Sequence, residues 1–122
     1  MIIKFSNNKE YPVCSTGDYC TRVIPSSNPS VRSQMYVYMS EDTITLDEFI
    51  ALFANEANLE TITLKGETFE NVYENYTVVQ SVGKELITEV DFTTGKTINE
   101  YRLVAKLEQL TYIEQKLKEL GL

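Results

Sequence analysis

Carboxylates are the catalytic-type side chains this sequence carries in quantity: 18 Asp and Glu against 11 Lys and Arg, with no histidine. Glu85, Glu89 and Asp91 fall at odd positions of one extended segment and so share one strand face. Two carboxylates can run hydrolysis as acid and base. Enzymes of that kind set them in the deep cleft of a larger fold, so this triplet reads as a solvated strand face. Lacking histidine, the chain has neither the commonest general base nor the commonest transition-metal ligand. Serines and threonines are plentiful, but no base is marked out to activate one. Asp42, Asp47 and Glu48 do not form the D-x-D-x-D-G loop of a calcium site. The five glycines form no phosphate-cradling loop. No catalytic, cofactor-binding or metal-ligating residue is assigned, and the expectation is a protein that is not an enzyme and uses no cofactor.

Cys14 and Cys20 are the only cysteines and do not have CxxC spacing. They read as two reduced thiols that the fold does not need, with a late disulfide left open if the loop between them closes. Asn75-Tyr76-Thr77 matches a glycosylation sequon but, with no secretory signal upstream, reads as a polar turn.

The net charge of −7 argues against a phosphate backbone as ligand, and Arg22, Arg32 and Arg102 are scattered rather than striped. The acids are interspersed with lysines, a pattern that confers solubility. No apolar run approaches the roughly 20 residues that span a bilayer. These features predict no nucleic acid, no membrane and no small-molecule substrate as partners. What remains is surface suited to proteins. Tyrosine dominates the aromatics, eight copies against five Phe and no Trp, and its large, rigid ring is enriched at interfaces. Strand alternation places Tyr36, Tyr38 and one of Tyr73 or Tyr76 outward. Tyr36 and Tyr38 together read either as a contact for another chain or as two rings under a neighbouring loop. On the first reading the Val31–Met39 strand is covered on a face or edge by a copy of itself or another protein.

The elements that would position these residues form one domain over 1–122. Thr45 and Glu48 make a capping box for a helix over about 46–55, whose Leu46, Phe49, Ile50 and Phe53 recur at helical spacing. Phe49 and Phe53 are expected to be almost fully buried. Ile2–Phe5 and Tyr11–Cys14 flank a turn at Ser6–Lys9, with Pro12 pointing to an edge strand. The segment Pro25–Pro29 is a surface loop on composition. Further strands are expected over Leu59–Lys65, over Phe69–Val82 with a break near Asn71–Asn75, over Glu85–Phe92 after a turn at Gly83-Lys84, and over Thr97–Leu110. In Glu85–Phe92, Leu86, Val90 and Phe92 are expected inward and Ile87, Glu89 and Asp91 outward. Thr111 and Glu114 form a second capping box, opening a helix over about 112–120 with Ile113, Leu117 and Leu120 on one stripe and Gly121 past its end. The fold class predicted is α+β, mostly antiparallel sheet with one central amphipathic helix and a C-terminal helix packing at an end or edge.

Several segments resemble small proteins encoded in the tail and baseplate modules of phages and prophages of Gram-positive bacteria. They are Ile3-x-Phe5-x-Asn7 with Tyr11, the TLDEF-x-ALF run at 45–53, YENYT at 73–77, and Leu107-x-Gln109-x-Thr111-Tyr112-x-Glu114. The resemblance implies a structural tail or baseplate protein, assembled in the host cytoplasm and resident in the virion. Its partners would be other phage structural proteins or copies of itself. The other reading is a phage-encoded anti-defence protein whose acidic surface blocks a host nucleic-acid-binding protein.

Overall fold

A computed structural model of the chain describes residues 1–121. In order, it runs β1 (Ile2–Lys4), β2 (Glu10–Pro12), β3 (Arg22–Ile24), β4 (Gln34–Ser40), α1 (Leu46–Ala54), a 3-10 turn (Glu56–Leu59), β5 (Thr61–Lys65), β6 (Glu70–Glu74), β7 (Val78–Asp91), β8 (Lys96–Glu108) and α2 (Tyr112–Glu119). The architecture is α+β. Two four-stranded antiparallel sheets form, ordered β2-β1-β5-β6 and β3-β4-β8-β7.

Alternation on facing strands builds the core. Ile3, Ile62 and Leu64 of the first sheet join Met35, Val37, Met39, Leu103, Ala105 and Leu107 of the second in one buried cluster. α1 adds Phe49, Leu52 and Phe53 to it. The rings of Phe49 and Phe53 lie 4.8 Å apart, and Phe53 meets Phe5 edge-on at 5.5 Å, the off-parallel geometry that aromatic quadrupoles favour. Phe49 and Phe53 are buried as expected, but the stripe is rotated: Leu52 is buried while Leu46 and Ile50 sit exposed at the flank. At the N-terminus of α1, Thr45 Oγ1 accepts from the Glu48 amide at 3.2 Å. The complete reciprocal box forms at α2, between Thr111 and Glu114. Asn8 and Asn75 take positive φ, at the first turn and at the break between β6 and β7, where Asn tolerates it best among non-glycine residues.

Four expectations are corrected. Val31 lies in a turn rather than a strand: its amide bonds to Asn28 O, and β4 begins at Gln34. β4 is no edge strand, since β3 and β8 pair with its two sides. Gly83-Lys84 is not a turn. β7 runs through it without a break, because β8 supplies a continuous partner from Val104 opposite Gly83 to Lys96 opposite Asp91. Finally, the apolar stripe of α2 is not packed away, for no residue of that helix is buried.

Ion pairs tether α2 instead. Arg32 reaches Glu114 at 2.6 Å and Glu108 at 3.3 Å, and Lys118 reaches Glu56 at 3.5 Å. The Arg32 hydrogen bond, reinforced by the Thr111 amide, holds the Glu114 carboxyl at about 2 against an ordinary value of 4.5. A carboxyl depressed in the folded state stabilises it fully above the unfolded value and withdraws that stability as pH falls through the folded one. Between pH 4.5 and about 2, then, the docking of α2 weakens. Hydrogen exchange in that window is expected to show α2 amides losing protection ahead of β4 and β8, with Glu114→Gln removing the pH step. Simultaneous loss in helix and core, or an unchanged step in the variant, would show that the pair does not hold the helix.

Candidate protein-contact surface

Three surfaces could meet another protein: the outer face of the second sheet, the end of the β7–β8 hairpin, and the apolar side of α2.

On the outer sheet face Tyr38 is only 4% exposed. It forms a small second core with Ile87 and Val104, and Cys14 and Tyr36 pack against that cluster. The segment from Cys14 to Thr21 closes over it. Cys14 N donates to Tyr38 O at 2.8 Å, Tyr38 N donates to Thr21 Oγ1 at 2.9 Å, and the Tyr19 ring stands edge-on 6.4 Å away. The expectation that Tyr36 and Tyr38 face outward together is therefore corrected for Tyr38, whose ring lies under the chain's own loop. Tyr36 is half-buried between two cations, with the Arg22 guanidinium 4.8 Å from its ring centre and Lys106 Nζ 5.9 Å away. Its hydroxyl donates to Gln34 Oε1.

Tyr73 and Tyr76 lie away from this pair. Tyr76 is 3% exposed and belongs to the main core, where burial pushes its phenol pKa up. Tyr73, half-buried, meets it edge-on at 6.0 Å. Tyr76 as a surface contact is thus corrected too: the chain bends at Asn75, and the ring after the bend turns inward.

The acidic triplet is likewise dispersed. Glu85 pairs with Lys106 at 3.6 Å, and Glu89 lies 3.9 Å from Arg102. Asp91 folds back on its own turn, accepting from Thr93 N at 2.9 Å, which lowers its pKa. Glu89 also accepts from the Tyr19 amide at 3.1 Å, and Arg102 donates to Tyr19 O and to Glu100. These groups staple the 14–21 loop to the sheet. Gly17 has a φ of +81°, which favours glycine, and a Cβ there would also push against the Glu89 carboxylate. Arg102 is 7% exposed. Burial works against its charge, yet the hydrogen bond it donates to Glu100 and the nearby charges keep its pKa above the ordinary guanidinium value. The arrangement immobilises a loop: Glu89 borders a shallow surface cleft with Gly17, Asp18 and Tyr19, but there it is engaged by Arg102 and the Tyr19 amide.

Cys14 and Cys20 are both free and half-buried, and burial first of all raises the Cys14 thiol pKa. A raised pKa lowers the thiolate fraction and with it reactivity.

The exposed apolar surface lies where the sequence reading did not place it. Leu86 and Val90 stand on the same face of β7 as Val82, in phase with the core, as the alternation predicts. Yet both are exposed, as are Tyr101 opposite Leu86 and Phe92, which is 95% exposed in the turn. Their inward assignment is corrected on coverage rather than phase. The first sheet has strands of 3 to 5 residues, whereas β7 and β8 have 14 and 13, so the hairpin overhangs the layer that would cover it. Ile87 is the converse: outward by phase, it is buried under the 14–21 loop. The one signal available was that Gly83-Lys84 is not the Asn-Gly or Asp-Gly pair of a tight hairpin turn, which leaves a continuous strand open. On α2, Tyr112, Ile113, Leu117 and Leu120 add a second exposed apolar stripe.

Comparison with family models, with curated proteins and with solved structures finds no match.

Proposed function

We propose that the protein is a non-enzymatic assembly component, a structural piece of a phage tail or baseplate that acts through protein–protein contacts. The observation that carries the contact reading is the exposed apolar surface on the β7–β8 overhang and on α2. Exposed apolar patches larger than isolated residues mark interaction sites in soluble proteins. The phage setting rests on the segments at 45–53, 73–77 and 107–114, which resemble tail-module proteins. On this reading the partners are other phage structural proteins or further copies of the chain, assembly takes place in the bacterial cytoplasm, and the product resides in the virion. An acidic-mimic role is less well supported. Glu10, Glu41, Glu85, Glu108 and Glu114 each lie in an ion pair with a lysine or arginine, so part of the negative charge is neutralised locally.

The test is co-sedimentation in a bacterial host producing the particles. Tagged protein is expected to travel with tails. A Phe92→Ser/Ile113→Ser variant, changed only at exposed positions, is expected to fold normally and remain in the unassembled pool. Recovery of the parent protein with a host nucleic-acid-binding protein, and never with tails, would overturn the reading in favour of the anti-defence alternative.

A further inference from the structure

The order β3-β4-β8-β7 leaves β7 on a sheet edge. At 14 residues it is far longer than the other edge strands, which have 3 in β2, 3 in β3 and 5 in β6. Among the described residues, the backbone bonds made outside the sheet ladders include none donated by residues 78–91. The outer side of β7 therefore presents a row of N–H and C=O groups open to another strand.

Edges of this kind are normally guarded by proline, by bulges or by free charges. β7 has no proline, and its one irregularity, between Val79 and Ser81, leaves Val82 to Val90 regular. Its charges are turned back onto the chain. Lys84 pairs with Glu41 at 2.9 Å, Glu85 with Lys106, Glu89 with Arg102, and Asp91 accepts from its own turn.

We propose that β7 pairs antiparallel with β7 of a second copy about a two-fold axis at Leu86, joining the two β3-β4-β8-β7 sheets into one. The proposal rests on the assembly reading above and names a second copy as the partner. Charge selects the register, because like charges directly opposite one another are destabilising across a strand pair. Centring on Lys84 or Glu85 sets that residue against its own copy. Centring on Ile87 opposes Glu85 to Glu89, and centring on Thr88 opposes Glu85 to Asp91. Centring on Gly83 draws the bulge into both ends of the ladder. Centring on Leu86 avoids all of these. It sets Leu86 on Leu86, Val82 on Val90, Lys84 on Thr88 and Glu85 on Ile87. The same register also answers the overhang. Val82 borders a shallow cleft with Ile50 and Phe53 of α1, so the exposed Val90 of one copy comes to the apolar shoulder of the other. Closed two-fold symmetry of this kind is the commonest among homo-oligomers.

Sedimentation of the full chain across the micromolar to millimolar range is expected to show a dimer, and Leu86→Lys, which sets two ammonium groups face to face, is expected to abolish it. Leu86 is exposed, so this variant should keep the parent's circular dichroism. The register is read by cross-linking in a Cys14→Ser/Cys20→Ser background with glutathione disulfide as oxidant. Leu86→Cys faces itself within disulfide reach and is expected to form a covalent dimer, the two thiols giving up two electrons and two protons to the oxidant. Thr88→Cys, which faces Lys84 of the second copy, is expected not to. A protein that stays monomeric, a dimer that survives Leu86→Lys, or equal cross-linking at 88 and 86 would each overturn the proposal. A monomer that still sediments with tails would overturn self-pairing alone and leave the assembly reading standing, whereas a dimer that joins no particle would do the reverse.

Discussion

Phe49→Ala is expected to lower the free energy of unfolding by roughly 3–5 kcal/mol, the range for deleting a fully buried aromatic ring. The ring is fully buried, lies 4.8 Å from Phe53 and sits in the cluster that both sheets share. Removing it leaves a cavity bounded by strands whose backbone pairing resists collapse, so little of the loss is recovered by relaxation. Against a typical total of about 5–15 kcal/mol, this change alone would bring the protein close to the unfolding threshold. Ile50→Ala, one position along on the exposed flank, is expected to cost about 1 kcal/mol or less. Urea denaturation of the two variants provides the comparison. Near-equal losses, or a Phe49→Ala loss under about 1 kcal/mol, would mean that the face of α1 that packs inward has been misassigned.

The second large effect is electrostatic. Arg102→Met keeps most of the side-chain volume and removes the guanidinium that holds Glu100, Glu89 and the Tyr19 carbonyl. Breaking a buried pair from one side costs about 3–5 kcal/mol, because the remaining charge is left without compensation. Here Glu100 is about half exposed and can return to water, while Glu89 is largely buried. The expected loss is therefore roughly 2–4 kcal/mol. Glu100→Gln, which disturbs only the more exposed partner, should cost under about 1 kcal/mol. The loss should also be localised: the Tyr19 amide, which donates to Glu89, should exchange faster in Arg102→Met while β4 and β8 amides retain their order of protection. If the Tyr19 amide exchanges as slowly as in the parent protein, the pair does not anchor the 14–21 loop.

The overhang and the open edge of β7 share one origin. A hairpin with strands of 14 and 13 residues is built onto a domain whose other sheet has strands of 3 to 5. That mismatch exposes Leu86, Val90 and Tyr101 on one face and open backbone along one side. The exposed apolar surface of the hairpin is thus a consequence of element lengths more than of any single residue type.

Local grammar was legible in the residues alone. The Thr45 and Thr111 caps, the Phe49 and Phe53 spacing, the Asn turn before Lys9, Pro12 on an edge strand, Gly121 past the end of α2 and the alternation of β4 and β8 each depend on neighbours within about one helical turn or one strand. So does the α+β class, which follows from summing those elements. What lay beyond reach was coverage. Alternation assigns Ile87 and Leu86 to opposite faces of β7 correctly, but cannot say which face another layer covers at that point along the strand. The 14–21 loop buries Ile87 and Tyr38 through bonds to residues 17 to 83 positions away, and the shortness of the first sheet leaves Leu86 and Val90 bare. The same holds for Tyr76, turned inward by the positive φ of Asn75, and for α2, whose apolar stripe has the right period but no facing layer. Periodicity is a property of the backbone and is encoded locally. Burial is a property of pairs of elements and is decided only when the chain closes.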